Sequence, residues 1–198
     1  MSKIVVVFPG IGYTSDKPLL YYASKIAKKC GYEESRILEY NFSYKSDLKT
    51  DRETYRRACN RVVKFTEEDL KGINWMSYDK ILFISKSLGT IAAASFEYDL
   101  TRFYNKEVSP FVLPPLKQIF FTPLEETFRY PVKNAIGFIG TNDSWSDLDK
   151  ITKFANKQYI PINVYENANH SLETGNMKQD LENMADIMSL CKRFIETK

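Results

Sequence analysis

Short runs of β-branched and aromatic residues alternate with amphipathic helical patterns along this 198-residue chain, and that alternation leaves few folds open. A strand that needs a helix before the next strand belongs to a parallel sheet, and such a sheet is covered by helices on both faces. Its strands therefore read as continuous apolar runs. Ile4–Phe8 is one. Arg36–Tyr44, Lys80–Ser85, Lys117–Phe121, Asn134–Gly140 and Pro161–Glu166 follow as further strands. The first helix starts at Asp16 as cap with Pro18 in its first turn, buries Leu19, Leu20, Ala23, Ile26, Ala27 and Cys30, and stops at Gly31. Helices over Asp51–Lys71 and Thr90–Tyr98, one from about Asp147, and one over Lys178–Glu196 complete the pattern. The last is expected to turn Leu181, Met184, Ala185, Met188, Cys191 and Ile195 inward. Thr101–Leu116, with Pro110, Pro114 and Pro115, fits neither pattern and reads as an ordered excursion over the surface. The expectation is one domain over residues 1–198, a three-layer α/β sandwich with a six-stranded parallel sheet and helices on both faces.

Composition narrows the chemistry. The chain has 28 basic and 25 acidic residues, a net charge of +3, which gives no reason to expect a nucleic-acid or membrane partner. It has one histidine, His170, so two-His zinc sites are excluded and any histidine-dependent chemistry runs through that residue. Its three cysteines, Cys30, Cys59 and Cys191, are far apart and form no CxxC, so neither a disulfide framework nor a thiolate metal site is expected. No run reaches transmembrane length and none has the form of a signal peptide. These features point to a reducing, cytoplasmic setting, a small-molecule substrate and no cofactor; they identify no partner protein.

The sharpest local signal is strand–SKSLGT–helix. A nucleophilic serine needs its Oγ held clear of the sheet on a tight strand-to-helix turn, with small residues two positions to either side. Ser87 stands at such an apex, flanked by Ser85 and Gly89. Taken alone, the motif fits a serine N-cap equally well. Chain order adds weight. Asp143 follows the fifth strand and His170 the sixth, which puts both at the carboxyl edge of the sheet with Ser87, the edge where ligands of open α/β sheets bind. His170 has the proton affinity of a general base for Ser87, and Asp143 would orient the imidazole. The plainer alternatives are a surface-loop histidine and a helix N-cap at Asp143; Ser144 or Asp147 could cap that helix instead. Asp147 and Asp149 suit the acid role less, because they fall within the next helix. The glycine-bearing loop Pro9-Gly10-Ile11-Gly12-Tyr13 would supply a second oxyanion donor. The backbone amides of Leu88 and Ile11 are assigned to that task, with Gly12 as second choice. A phosphate-loop reading is weak, since neither GxGxxG nor GxxxxGK[ST] is present.

FPGIGYTSDKP, SKSLGT and GTND…NANHSLE together resemble the α/β-hydrolase superfamily, in particular its small members without a lid. The resemblance covers nearly the whole chain. It implies a reduced α/β-hydrolase fold without a cap, beginning at the family's third strand, with sheet order 2-1-3-4-5-6. It further implies a serine hydrolase of small esters, thioesters or amides that acts through Ser87, His170 and Asp143. Departures are Ser85 where the elbow usually has glycine, Lys86 before the nucleophile, and Pro9-Gly10 in place of His-Gly. The connection Thr122–Lys133, where many members insert a cap, is short, so the site is expected to be shallow and open. Gly12, Tyr13, Thr122, Pro123, Phe128 and Trp145 are its expected walls, although aromatic residues at strand ends serve equally as packing. Two other readings share the fold: a non-catalytic binding protein, and a flavodoxin-like nucleotide or flavin binder that would lack its phosphate loop.

Overall fold

The computed structural model describes residues 2–42, 48–107 and 112–197. Strands β1 (Lys3–Phe8), β2 (Glu34–Ile37), β3 (Lys80–Lys86), β4 (Leu116–Phe121), β5 (Ala135–Gly140) and β6 (Ile162–Tyr165) form one six-stranded sheet. Its order is β2-β1-β3-β4-β5-β6 and every neighbouring pair is parallel, as expected. The helices are α1 (Pro18–Lys29), α2 (Arg52–Asp69), α3 (Leu88–Glu107), α4 (Leu148–Lys157) and α5 (Met177–Glu196). Among the described residues, no helix is long and apolar enough to cross a membrane.

The two faces of the sheet explain the continuous apolar runs. Successive side chains point to opposite faces, and both faces are covered. Val5, Val7, Leu82, Ile84, Ile119 and Phe121 pack with α1 and α5. Ile4, Val6, Phe8, Ile81 and Phe83 pack with α2 and α3. Phe120 extends the second layer to Ala94 of α3 and Ala155 of α4. Ala92, Ala93 and Ala94 are fully buried, and their small side chains let α3 lie close on the sheet.

Four expectations are corrected. The strand read over Arg36–Tyr44 is Glu34–Ile37, an edge strand with every residue exposed. Leu38 and Tyr40 are core residues of the loop that follows, and their burial produces the apolar pattern that resembles a strand; residues 43 and 44 lie outside the described residues. At α1, Lys17 rather than Asp16 is the N-cap, and the Asp16 carboxylate accepts from the Thr14 hydroxyl. The segment read as an excursion begins as helix, since α3 continues to Glu107; Pro110 and Phe111 lie outside the described residues. On α5 the inward row is Asn183, Ile187, Cys191 and Ile195, while Leu181 is 64% exposed and Ala185 is also exposed. A polar first position is tolerated because Asn183 Oδ1 accepts from Gln179 Nε2 at 2.9 Å.

One buried pair should make stability depend on pH. Gln118 on β4 donates through Nε2 to the Glu97 carboxyl on α3, and Gln118 Oε1 is buried without a partner among the described residues. Burial pushes the Glu97 carboxyl up to about 7, against the opposing pulls of Gln118 and Lys133. A protonated carboxyl is a donor, which Gln118 Oε1 lacks; an ionised one is not. The folded chain therefore keeps this proton between the ordinary 4.5 and about 7, where the unfolded chain has lost it, and stability falls as pH rises through that window. Glu97→Gln is neutral throughout and keeps a donor and an acceptor. Urea unfolding at pH 5 and pH 8 should show the loss between the two reduced by about 2 kcal/mol in this variant.

Candidate active site

Because all pairings are parallel, the loops after β1, β3, β4, β5 and β6 open at one edge of the sheet. Ser87 stands between β3 and α3 at φ 54°, a left-handed conformation that a serine holds only where its surroundings enforce it. The enforcement is visible. Ser87 N–H donates to Phe121 O at 3.0 Å, which extends the β3–β4 ladder into the turn. The Ser87 carbonyl accepts from Thr90 N–H at 2.8 Å and from the Thr90 hydroxyl at 2.7 Å. Below the apex, Ser85 is fully buried and its hydroxyl donates to Ile119 O at 3.1 Å, so a hydroxyl side chain is satisfied where the family's usual residue is glycine. Gly89 is needed for space: a Cβ there would stand 2.2 Å from Phe8 O and 2.4 Å from Pro9 O.

His170 and Asp143 meet Ser87 at this edge. His170 Nε2 lies 2.8 Å from Ser87 Oγ, and His170 Nδ1 lies 2.9 and 2.8 Å from the two Asp143 carboxylate oxygens. A carboxylate only accepts, so Nδ1 carries the proton in the neutral ring and the Nε2 lone pair faces the serine hydroxyl, which donates to it. Asp143 is held by Trp145 N–H, which donates to Oδ1 at 2.9 Å. Its side chain is 1% exposed, against 19% for His170. Asp143 is thus not the helix N-cap; Asp147 caps α4 by accepting from Lys150 N–H. The histidine loop is tied by Asn169, whose Oδ1 accepts from Ser171 and Glu173 N–H at 2.7 and 3.2 Å. It passes close over the end of β5, where a Cβ on Gly140 would stand 1.9 Å from Ala168 O. Burial pulls the His170 imidazole below its ordinary 6.5; Asp143 opposes this, while the charges of Lys86 and Lys49 reinforce it.

The loop after β1 closes as a tight turn, with Gly10 N–H donating to Tyr13 O at 3.1 Å and Tyr13 N–H to Gly10 O at 3.2 Å. Ile11 and Gly12 form its tip, with Gly12 at φ 77°. The turn lies against the elbow: a Cβ on Gly10 would come within 3.1 Å of Ser87 Cβ. Leu88 opens α3, so its amide has no intrahelical acceptor.

Of the expected walls, Tyr13 and Trp145 are half-buried at this edge. The Trp145 ring lies 5.6 Å from that of His170, and the Lys49 ammonium sits 4.9 Å above the indole. A cavity of about 350 Å³ opens beside Trp145, and one of about 320 Å³ opens beside Gly10 and Gly12. Thr122 and Phe128 are not walls. Thr122 is fully buried, and its hydroxyl accepts from Lys86 Nζ at 2.6 Å. Phe128 packs against Phe120 in the core, edge to face at 6.4 Å. Pro123 is also buried, and its carbonyl accepts from the Ser146 hydroxyl. The connection after Thr122 holds a single 3-10 turn, Glu125–Arg129, and no inserted domain.

Lys86, which the sequence marks only as a departure from the resemblance, is part of this edge. It is 1% exposed, its ammonium lies 4.9 Å from the Tyr13 ring centroid, and burial pulls it down to about 7, with Asp143 opposing. A lysine at the end of an apolar strand reads as a solvated terminus, so no pattern marks it as buried.

Comparison with known proteins agrees with this architecture. A family model described as an alpha/beta hydrolase domain matches residues 2–196. Among solved structures, an alpha-beta serine hydrolase homologue from Coxiella burnetii superposes with a TM-score of 0.56 at 14% identity, covering 97% of this chain and 84% of that one. A serine hydrolase without lid from Xanthomonas campestris gives 0.53 at 10% identity, covering 99% and 84%. An esterase from Pyrococcus furiosus gives 0.52 at 14% identity, covering 97% and 83%. No curated protein matches the sequence. At these identities the structural likeness is one of fold.

The contact of Gly89 with the β1 loop gives a direct test of the elbow. Gly89→Ala drives a methyl into the Phe8 and Pro9 carbonyls, which are backbone and cannot swing aside. It should lower stability by about 2–4 kcal/mol in thermal or urea unfolding, whereas Gly72→Ala, with open space around its Cβ but a φ of 91°, should cost only the strain of a left-handed alanine, about 1–2 kcal/mol.

Proposed function

The chain belongs to the alpha/beta hydrolase domain family, and from that premise we propose that it is a serine hydrolase that cleaves a small ester, thioester or amide through an acyl-enzyme. The observation that carries this reading is the continuous relay from Ser87 Oγ to His170 Nε2, 2.8 Å, and from His170 Nδ1 to Asp143, 2.8 Å. A serine hydroxyl is a weak nucleophile at neutral pH until a base takes its proton. His170 is that base, and its depressed proton affinity keeps it neutral and ready to accept.

In the first half-reaction, Ser87 Oγ attacks the substrate carbonyl carbon and its proton passes to His170 Nε2. The buried Asp143 carboxylate stabilises the imidazolium and fixes its orientation. The carbonyl oxygen gains the negative charge and is met by the amides of Leu88 and Ile11. As the tetrahedral intermediate collapses, Nε2–H protonates the leaving alcohol, thiol or amine. A water then repeats the sequence on the acyl-enzyme, with His170 again as base, and the acid is released. Trp145 limits rotation of the imidazole, and Tyr13 borders the site on the side of the oxyanion loop.

The short distance from base to nucleophile favours catalysis over a bare binding role. The open surroundings of Ser87 favour small or exposed substrates. The likeness to an esterase favours an oxygen ester among the three bond types. The free thiols Cys30, Cys59 and Cys191 suit a reducing compartment.

A fluorophosphonate probe should label wild-type protein at Ser87, and Ser87→Ala should abolish the label. On p-nitrophenyl esters of rising chain length, His170→Ala should lower kcat/KM by about 10³-fold or more, since no second histidine can substitute. Asp143→Asn should lower it by about 10⁴-fold at neutral pH by favouring the wrong tautomer. Labelling that survives in Ser87→Ala would sink the assignment.

A further inference from the structure

A second titratable group lies under the proposed base and takes no part in the steps above. Lys86 is the last residue of β3, directly before Ser87, and is buried to 1% exposure. An ammonium has three donors, yet among the described residues its hydrogen-bond partner is the Thr122 hydroxyl at 2.6 Å, and the Tyr13 ring lies 4.9 Å away. No carboxylate stands within ion-pair distance of Nζ among the described residues. Thr122 is itself in a left-handed conformation, φ 44°, which is rare for a β-branched residue and is held by its N–H donating to Phe138 O at 2.7 Å. The end of β4 is therefore bent into a shape that presents a hydroxyl to Lys86.

Burying a charge so thinly partnered costs stability, and an apolar residue of the same length would remove that cost. Packing alone does not account for lysine here. What lysine supplies is a buried charge one residue before the serine whose hydroxyl meets the imidazole. The groups facing His170 are Asp143 after β5, Lys86 from β3 and Lys49 ahead of α2. Burial disfavours the imidazolium most, Asp143 favours it, and the two lysines act in the same direction as burial.

We propose that Lys86 is a positioning residue for His170: its ammonium, anchored on Thr122 and lying under the Tyr13 ring, holds the imidazole in the neutral, proton-accepting form. The inference rests on the hydrolase reading for its purpose, but its electrostatic content does not depend on catalysis. Burial draws the lysine itself down to about 7, so its influence is strongest in acid, where His170 would otherwise be protonated, and fades as the pH rises. The device therefore extends the working range of the base toward low pH.

The lone histidine makes the test direct, because its ring resonances need no assignment. NMR titration of wild type and Lys86→Met should show the His170 midpoint higher in the variant by about half a pH unit or more. Fluorophosphonate labelling of Ser87 should slow several-fold at pH 5.5 in Lys86→Met, with a smaller deficit at pH 9. A midpoint that is unchanged or lower in the variant overturns the proposal, as does a labelling deficit equal at every pH, which is the mark of a structural role. Thermal unfolding should show that Lys86→Met is no less stable than wild type. Should that variant not fold, Lys86→Gln, which keeps a donor for the Thr122 hydroxyl and lacks the charge, takes its place, and a His170 midpoint that is unchanged or lower overturns the proposal in the same way. Absence of Ser87 labelling in wild type would remove the acyl-transfer reading while the His170 midpoints still decide the role of Lys86.

Discussion

The parallel pairing of β1, β3, β4, β5 and β6 is the constraint from which the site follows. Parallel strands end at a common edge, so residues distant in sequence arrive together without further arrangement: Gly10, Ser87, Thr122, Asp143 and His170 each lie just past a strand. The same pairing demands helices on both faces and apolar strand interiors. It also fixes the spacing at the edge. The β1 loop must pass over the start of α3, and the histidine loop must pass over the end of β5. Both crossings are so close that only hydrogen fits at Gly89 and Gly140, where a Cβ would meet the Phe8 and Ala168 carbonyls. These glycines are required by distance, since neither is among the positive-φ residues.

Backbone strain is concentrated at the same edge. Ser87 and Thr122 end neighbouring strands in left-handed conformations, at an order of 1–3 kcal/mol each. Each is held because its N–H completes one more rung of the ladder, to Phe121 O for Ser87 and Phe138 O for Thr122. The sheet thus extends one residue beyond its regular end and forces the side chains upward at Ser87 and toward Lys86 at Thr122. A hydroxyl standing clear of the strand is what a nucleophile needs. Strain at Ser87 follows from that extra rung and from having a Cβ where glycine would turn freely.

Much of this was legible in the sequence, and the misses have physical causes. Strand order and the meeting of Ser87, Asp143 and His170 follow from the apolar runs and from the rule that parallel strands share an edge. β2 was misplaced because Leu38 and Tyr40 are core residues supplied by a loop, and burial without a ladder leaves the same apolar signature. Leu181 is apolar yet exposed because the geometry of α5 decides its inward row, which starts at Asn183, satisfied by Gln179. Thr122 and Phe128 were placed on the wall because position past a strand end fixes the edge but not the direction of the side chain. Lys86 stands out in the sequence as a departure before the nucleophile, but its burial does not, since a buried lysine and a solvated one are the same letter.

The balance of charge under the site is the last consequence of that edge. Asp143 is nearly sealed from solvent and is the carboxylate that meets the imidazole, while Lys86 is sealed one residue before Ser87. Were only Asp143 present, the imidazole would be drawn toward its protonated form and lose its lone pair in mild acid. Were only the lysine present, the imidazolium formed during attack would be unsupported. With both, the ground state favours a neutral ring, and under the proposed mechanism the carboxylate is already in place when the ring gains its proton. The contact with Asp143 is a direct hydrogen bond at 2.8 Å, and Lys86 acts without one, through space. In the proposed reaction the charge that moves is met by the partner that touches the ring, and the resting state is set first by burial and then by the charge that does not touch it.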